Sequence, residues 1–394
     1  MTNWSPHAKH WQLDPNITFL NHGCFGATPT VVLAAHRALV DQLEFEPVRY
    51  LAPERDLETK LDGVRKVIAE LINAEPSNLA FVRNATDGIN AVLRSFPLNA
   101  GDEIVVTNHG YNACNNAAKF AAQQSKAQVR VADVPFPLES EDQVLAAIEA
   151  QLTEKTRLLV VDHVTSTTGL IFPIQQIVEM AHQRNIRVLV DGAHAMGMLP
   201  LDLTQLGADY YTANHHKWLC GPKASGFLYV QPEHQAEVRP TVISHAANLE
   251  RPGRSRFLAE FDWVGTYDAT VLLAVPTAVD FLSRFKGSFS EHQEENHALA
   301  LAARELLLDQ LNLEPAAPAS MIGSMVTFAL SSNSKLKPVD NESLQARLFD
   351  HHQIEVPIFQ GPDTATHCFR ISAQAYNCIE QYEQLGNALR EELR

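Results

Sequence analysis

Cysteine is scarce in this 394-residue chain: the five present, Cys24, Cys114, Cys220, Cys368 and Cys378, are scattered and form no CxxC pair. An odd number of isolated thiols argues against a disulfide framework or a zinc ribbon and fits a reducing compartment. Long apolar runs are missing too. No stretch approaches the ~20 residues that span a bilayer. The opening six residues lack the basic and then apolar blocks of a secretion signal, so the sequence predicts a cytoplasmic protein without membrane contact. Positive charge is in deficit, with 31 Lys and Arg against 46 Asp and Glu and a net charge of -15. Such a surface repels polyanions and argues against nucleic-acid binding as the main job. Repeats and low-complexity segments are absent as well. Against these shortages stand an ordinary globular hydrophobic fraction of 45% and an unusual 17 histidines.

At one domain per ~150 residues the length predicts two or three domains. From about residue 78, β-rich runs alternate with amphipathic stretches, the pattern of βαβ units around a parallel sheet. The runs are 79–83, 103–108, 128–134, 157–164, 186–191, 209–213 and 226–230. Runs 157–164 and 186–191 are nearly continuous in apolar residues, as expected of strands covered on both faces. Helices are expected at 87–96 and 173–184, then a long one at 269–284 kinked at Pro276, and another from a Ser288–Glu291 capping box to about 311. Strand 325–331, helix 342–351, strands 354–359 and 368–372 and a closing helix from about 379 predict a smaller C-terminal α+β domain. The expected division is an N-terminal arm at 1–20, a large α/β domain at 21–268 and the small domain at 269–394.

Three segments could carry chemistry. The run 186–191 ends in Asp191, followed by Gly192, Ala193 and His194. A carboxylate at the C-terminal end of a buried parallel strand stands where α/β sheets place ligands, and a buried carboxylate needs a cationic partner such as a protonated heteroaromatic nitrogen. Taken alone, Asp191 also reads as a helix cap. Next, Asn214-His215-His216-Lys217-Trp218 follows a β run. Desolvation and neighbouring imidazoles lower a lysine's pKa and make it an amine for Schiff-base chemistry, although an ion pair would also explain it. Third, Arg83-Asn84-Ala85-Thr86-Asp87-Gly88 joins a β run to a helix, whose free N–H groups and dipole suit a phosphate. Each signal is modest, but the three in this order compose a pyridoxal-phosphate site.

With Ala85-Thr86-Asp87, Asp191-Gly192-Ala193-His194 and His216-Lys217, the chain resembles the class V aminotransferases, fold-type I pyridoxal-phosphate enzymes. Asn21-His22-Gly23-Cys24-Phe25-Gly26, Asp162-His163-Val164-Thr165-Ser166 and His215-His216-Lys217-Trp218-Leu219 resemble the isopenicillin N epimerase-like branch. The resemblance implies a mostly parallel seven-stranded sheet domain with a smaller C-terminal α+β domain. It also implies that Lys217 binds pyridoxal 5'-phosphate as a Schiff base and moves protons at the substrate α-carbon. Asp191 would pair with the ring nitrogen, His194 would lie beneath the ring, and Ser166 would reach the ring hydroxyl. Ala85, Thr86, Asn214 and His216 would hold the phosphate. Tyr111 would stack on the ring, and Gly265-Thr266 would reach the phosphate of a partner subunit, implying a homodimer. Arg370 would grip the substrate carboxylate, for which a planar bidentate donor is suited; a strand-edge salt bridge is the plainer reading. The loop from Gly23 to Gly26 would line the substrate entrance or serve as a turn.

The implied reaction is epimerisation or racemisation of an amino acid or its derivative, with Tyr111 or His22 as a second acid. A carbon–sulfur or β-lyase and an aminotransferase are the alternatives. Cysteine desulfurases of the family carry a nucleophilic thiol upstream of the arginine, but Glu355-Val356-Pro357-Ile358-Phe359 holds none, and Cys368 is too close to Arg370. A metal-dependent hydrolase built on His163, His194, His215 and His216 lacks any HExxH or HxH pattern. Beyond His194 and His216, His163 and His215 would stand near the cofactor and His22 or His109 would face substrate, while His292, His297, His351 and His352 are expected to be solvated.

Overall fold

Strands buried on both faces must send alternate residues into two different cores, and the central strands do so. The computed structural model describes residues 4–248, 251–330 and 340–393. Its strands are β1 (Thr18–Phe19), β2 (Leu79–Val82), β3 (Glu103–Thr107), β4 (Gln128–Ala132), β5 (Thr156–Asp162), β6 (Arg187–Asp191), β7 (Tyr210–Asn214) and β8 (Gly226–Val230). They continue with β9 (Met325–Ala329), β10 (Ile354–Glu355), β11 (Ile358–Gln360) and β12 (His367–Ser372). Seven form one sheet in the order β2-β8-β7-β6-β5-β3-β4, with β8 antiparallel to both neighbours and the other pairs parallel. On one face Leu159, Val161, Val188 and Val190 join Ile174, Ile177 and Val178 of helix Ile174–His182. On the other, Leu158, Val160 and Leu189 meet Ile89 and Val92 of helix Ala85–Ser95 and Ala118 of helix Asn112–Ser125. Helices therefore cover both faces, and this is the fold-type I architecture of pyridoxal-phosphate enzymes. The C-terminal ends of β5, β6 and β7 lie side by side at one edge, where such sheets bind ligands.

All seven expected runs of the large sheet are strands. The long helix expected at 269–284 is two, Thr270–Leu273 and Val275–Phe285. Pro276 stands in the first turn of the second, where its missing N–H is harmless, so it starts a helix instead of kinking one. Only half of the expected capping box is formed: the Ser288 hydroxyl accepts the Glu291 N–H at 3.1 Å. The single strand expected at 354–359 is divided around Val356-Pro357 into β10 and β11. These go to different partners. β11 joins the antiparallel three-stranded sheet β11-β12-β9, whereas β10 pairs in parallel with β1 from the start of the chain. The last residue of the expected strand 325–331 lies outside the described residues. Among the described residues no helix is long and apolar enough to cross a membrane.

Arg65, 1% exposed, ties helix Glu58–Leu71 to the segment leading into Trp263-Val264-Gly265-Thr266. Its guanidinium donates to Asp262 Oδ1 at 2.6 Å, to the Leu79 carbonyl at 2.8 Å and to Asp62 at 2.5 Å. Asp262, 1% exposed, is also held by Arg254. Removing one partner of a buried pair strands the other charge, at a cost of about 3–5 kcal/mol. Asp262→Ala is expected to lower the urea unfolding midpoint accordingly, and a midpoint equal to that of the parent would show the pair to be dispensable.

Candidate active site

The site begins with a carboxylate at a strand end. Asp191 closes β6 and is 3% exposed. Its Oδ1 accepts the Ala193 N–H at 2.9 Å and its Oδ2 accepts the Cys114 thiol at 3.1 Å. Burial, then the Asp191 charge, pushes Cys114 well above the usual thiol range, so it stays a donor.

Beyond the end of β7, the chain turns through His215 and His216 to Lys217. The Lys217 amine, largely enclosed, lies 2.8 Å from His194 Nε2. Trp218 Nε1 donates to His194 Nδ1 at 3.3 Å. An indole can only donate, so Nδ1 must accept, and the ring proton of a neutral imidazole sits on Nε2. Nε2–H then donates to Lys217, which requires the uncharged amine. Burial lowers the Lys217 pKa to about 8, with the Asp191 charge opposing and the Arg370 charge assisting. Burial, then the Lys217 charge, holds His194 well below its ordinary value and therefore neutral.

The third part is the start of helix Ala85–Ser95, where the Asn84 side chain caps the Asp87 N–H at 3.0 Å. Gly88 lets this helix lie against β7, because a Cβ there would stand 2.3 Å from Thr212 Oγ1. The Ala85 N–H, expected to be free for phosphate, donates to Asn214 Oδ1 at 2.9 Å. Ala85 and Asn214 are thus joined to each other, the Asp87 and Gly88 N–H groups go to Asn84, and Thr86 is left as the anion donor of the first turn. His216 Nδ1 is buried without a hydrogen-bond partner among the described residues, and burial brings the ring to about 4. An orphaned imidazole nitrogen, a helix start, a strand-end carboxylate and an uncharged lysine together fit a phosphorylated pyridine aldehyde.

Arg370, on β12, is 4% exposed. Its guanidinium donates to the Ser166 carbonyl and contacts Cys24 Sγ at 3.4 Å, while Nε has no hydrogen-bond partner among the described residues. No carboxylate among the described residues forms an ion pair with it. Ser166 therefore meets Arg370 through its backbone. Tyr111 caps the start of helix Asn112–Ser125 and is 46% exposed. Gly265 and Thr266 lie on a loop bordering a cavity of about 470 Å³ lined by Arg83, Asp87, Val242, Val264 and Tyr267. Neither is hydrogen-bonded to another candidate among the described residues.

Two histidines do not face substrate space as expected. His22 is fully buried, with Nδ1 2.8 Å from the Tyr376 hydroxyl and Nε2 3.1 Å from the Lys217 carbonyl. Burial drives it to about 3, so it braces the lysine backbone as a neutral ring. His109 is enclosed between Thr168 Oγ1 at 2.7 Å and the Val134 carbonyl at 3.1 Å. Of the histidines expected near the cofactor, His163 binds the Tyr211 hydroxyl at 2.9 Å and His215 packs between Phe81 and Phe227. His292, expected in solvent, is fully buried because its helix face packs inward against Phe285. The glycine loop presses on the lysine segment: Gly26 has φ +68°, and a Cβ there would lie 2.0 Å from the His216 carbonyl oxygen. Residues that the sequence reading passed over are Cys24, Cys114, Asp162, Trp218 and Tyr376. Cys114 had a usable signal, since it follows Tyr111 by three positions and shares its helix face.

A family model, Aminotransferase class-V, matches residues 27–385. The chain is 34% identical to the isopenicillin N epimerase of Amycolatopsis lactamdurans, over 99% of this chain and 98% of that protein. It is 31% identical to a probable chloroplastic L-cysteine desulfhydrase of Arabidopsis thaliana, over 95% of this chain and 83% of that protein. Among solved structures, a C-DES variant with glycine covalently linked to its PLP cofactor superimposes with a TM-score of 0.84 at 23% identity, covering 98% of this chain and 99% of that one.

The amine geometry carries a direct prediction. In cofactor-free protein, acylation of Lys217 followed by peptide mass spectrometry should rise with pH around a midpoint near 8. An ordinary lysine titrates near ~10.4, and a Lys217 midpoint there would contradict the neutral-amine arrangement.

Proposed function

The chain belongs to the class V aminotransferase family of pyridoxal-phosphate enzymes, and from that premise we propose that it epimerises the α-carbon of an amino acid or amino-acid derivative. The observation that carries the reading is the Lys217 amine, its pKa lowered to about 8 and 2.8 Å from neutral His194, beside a strand-end carboxylate. Pyridoxal phosphate, when bound, withdraws electrons from bonds at the substrate α-carbon. Asp191 would hold the ring nitrogen with its negative charge. Thr86, at the start of helix Ala85–Ser95, would hold the phosphate together with His216, and Asn214 fixes that turn through the Ala85 N–H. Arg370 would bind the substrate carboxylate, which supplies the anion that the buried guanidinium lacks. Lys217 would take the α-proton as the free amine and keep it as the ammonium, at an operating pH close to its own pKa.

Inversion needs a proton from the other face of the α-carbon. His22 is enclosed, which leaves Tyr111 from the exposed side as the candidate donor, and Cys24 beside Arg370 as a second proton carrier. The loop of Gly265 and Thr266 would complete the phosphate site of a partner subunit in a homodimer. The half-exposed Val242 and Ile243 near the neighbouring cavity support an interface there.

A second reading is a carbon–sulfur lyase, supported by the similarity to the L-cysteine desulfhydrase. Lys217 would again remove the α-proton, and Cys24 would protonate the departing sulfur. Incubation with L-amino acids in deuterated water separates the readings. Loss of optical activity with α-deuterium uptake is the outcome expected of an epimerase. Release of pyruvate and ammonia would replace that reading with the lyase, and pyridoxamine phosphate would replace it with a transaminase. The holoenzyme should show a visible absorption band that is absent from Lys217→Ala. Arg370→Met should lose about 2–5 kcal/mol of transition-state binding, seen as a fall in kcat/KM of roughly thirtyfold or more. Unchanged kcat/KM would remove Arg370 from the substrate site.

A further inference from the structure

β5 and β6 both end in aspartate, and Asp162 and Asp191 are direct partners across the parallel pair. Side chains at paired positions leave a sheet on the same face, and neighbouring strands are only ~4.8 Å apart. Both residues are buried, Asp162 at 6% and Asp191 at 3% exposure. Two carboxylates this close and this dry cannot both stay ionised. Asp191 accepts a hydrogen on each oxygen, from Ala193 and from Cys114, the acceptor-only pattern of a carboxylate. Asp162 faces the Tyr111 backbone N–H, at the start of helix Asn112–Ser125, and its own backbone N–H, and these donors oppose its protonation less than burial favours it. Burial, then the Asp191 charge, pushes Asp162 well above the usual carboxylate range. The other titratable groups around the pair are Cys114, from that helix, Tyr211, from β7, and Lys217, from the loop after β7.

We propose that Asp162 is a positioning residue of the cofactor site: the Asp162–Asp191 pair keeps one proton at neutral pH, carried by Asp162. The neutral acid then holds the Tyr111 turn and leaves Asp191 as the single negative charge offered to the ring nitrogen. A second charge there would also favour the ammonium form of Lys217, because ionised Asp162 pulls that amine upward. The shared proton stands on the two strand ends alone. Its use rests on the proposed roles of Asp191 and Tyr111.

Infrared difference spectroscopy of the holoenzyme at pH 8 in H2O and D2O tests the pair. A deuterium-sensitive carbonyl stretch of a protonated carboxyl is expected, and it should disappear in Asp162→Asn. Because an amide mimics the neutral acid, that variant should keep an unchanged circular dichroism spectrum. It should also bind pyridoxal phosphate with a dissociation constant within about threefold of the parent, whereas loss of a charge needed in the site would cost about tenfold or more. Absence of the band, its survival in Asp162→Asn, or a tenfold loss of cofactor affinity in that variant would overturn the proposal. If Asp162→Asn does not fold, Asp162→Ser removes the same band. Should the band behave as expected while Asp191→Asn keeps full cofactor affinity, the assignment of Asp191 to the ring nitrogen fails and the protonated pair stands.

Discussion

An ammonium group loses much of its hydration when it is enclosed by protein, and the site is arranged around that loss at Lys217. The amine loses its proton well below an ordinary lysine, with a midpoint near 8, which makes it a usable base, and the partner of the free amine must be a donor. His194 supplies the donor only because the Trp218 indole claims its other nitrogen. Trp218 is itself fully buried in the core that β5, β6 and β7 share. A proton on one imidazole nitrogen is therefore fixed by the packing of the large sheet.

The same economy governs the anionic side. Asp191 is deep enough to need donors, and it finds them in the first turn after its own strand and in a thiol from the helix that Tyr111 begins. Both contacts depend on close approach of helices to the sheet edge, which Gly88 permits on the phosphate side and small side chains such as Ala117, Ala118 and Ala121 permit beside Cys114. The site is thus set by backbone distances that bulky residues would increase.

Much of this was legible in the linear sequence, for identifiable reasons. Continuous apolar runs marked the covered strands, and Asp191 stood out because its run stops abruptly at an acid. Asp162 has the same relation to β5 but was hidden, because the apolar character of the run continues through Val164 and the strand seemed to extend past it. The local composition around Ala85 was right for a helix start, yet its N–H is taken by Asn214 from 129 positions away, a contact no local pattern reports. His22 was misplaced for a similar reason. Its neighbours in sequence are glycine and cysteine, as in a loop, whereas its neighbours in space are Tyr376 and the Lys217 carbonyl. The division at Pro357 could be anticipated from proline chemistry, but the pairing of β10 with β1 could not.

That pairing imposes an order on biosynthesis. β1 finds its partner only when residues 354 and 355 exist, and His22 is bracketed between Lys217 and Tyr376. Tyr376 follows Lys217 by 159 residues, since 376 minus 217 is 159. At roughly 5–20 residues per second of synthesis, the lysine waits about 8–30 s before its final brace can form. The large sheet can be assembled by then, but β1 lacks its partner strand and the His22 ring has the lysine carbonyl without the Tyr376 hydroxyl. A nascent chain therefore carries its nucleophile for that interval in an unfinished pocket, and the emergence of β10 and Tyr376 sets the moment at which β1 and His22 lock the site.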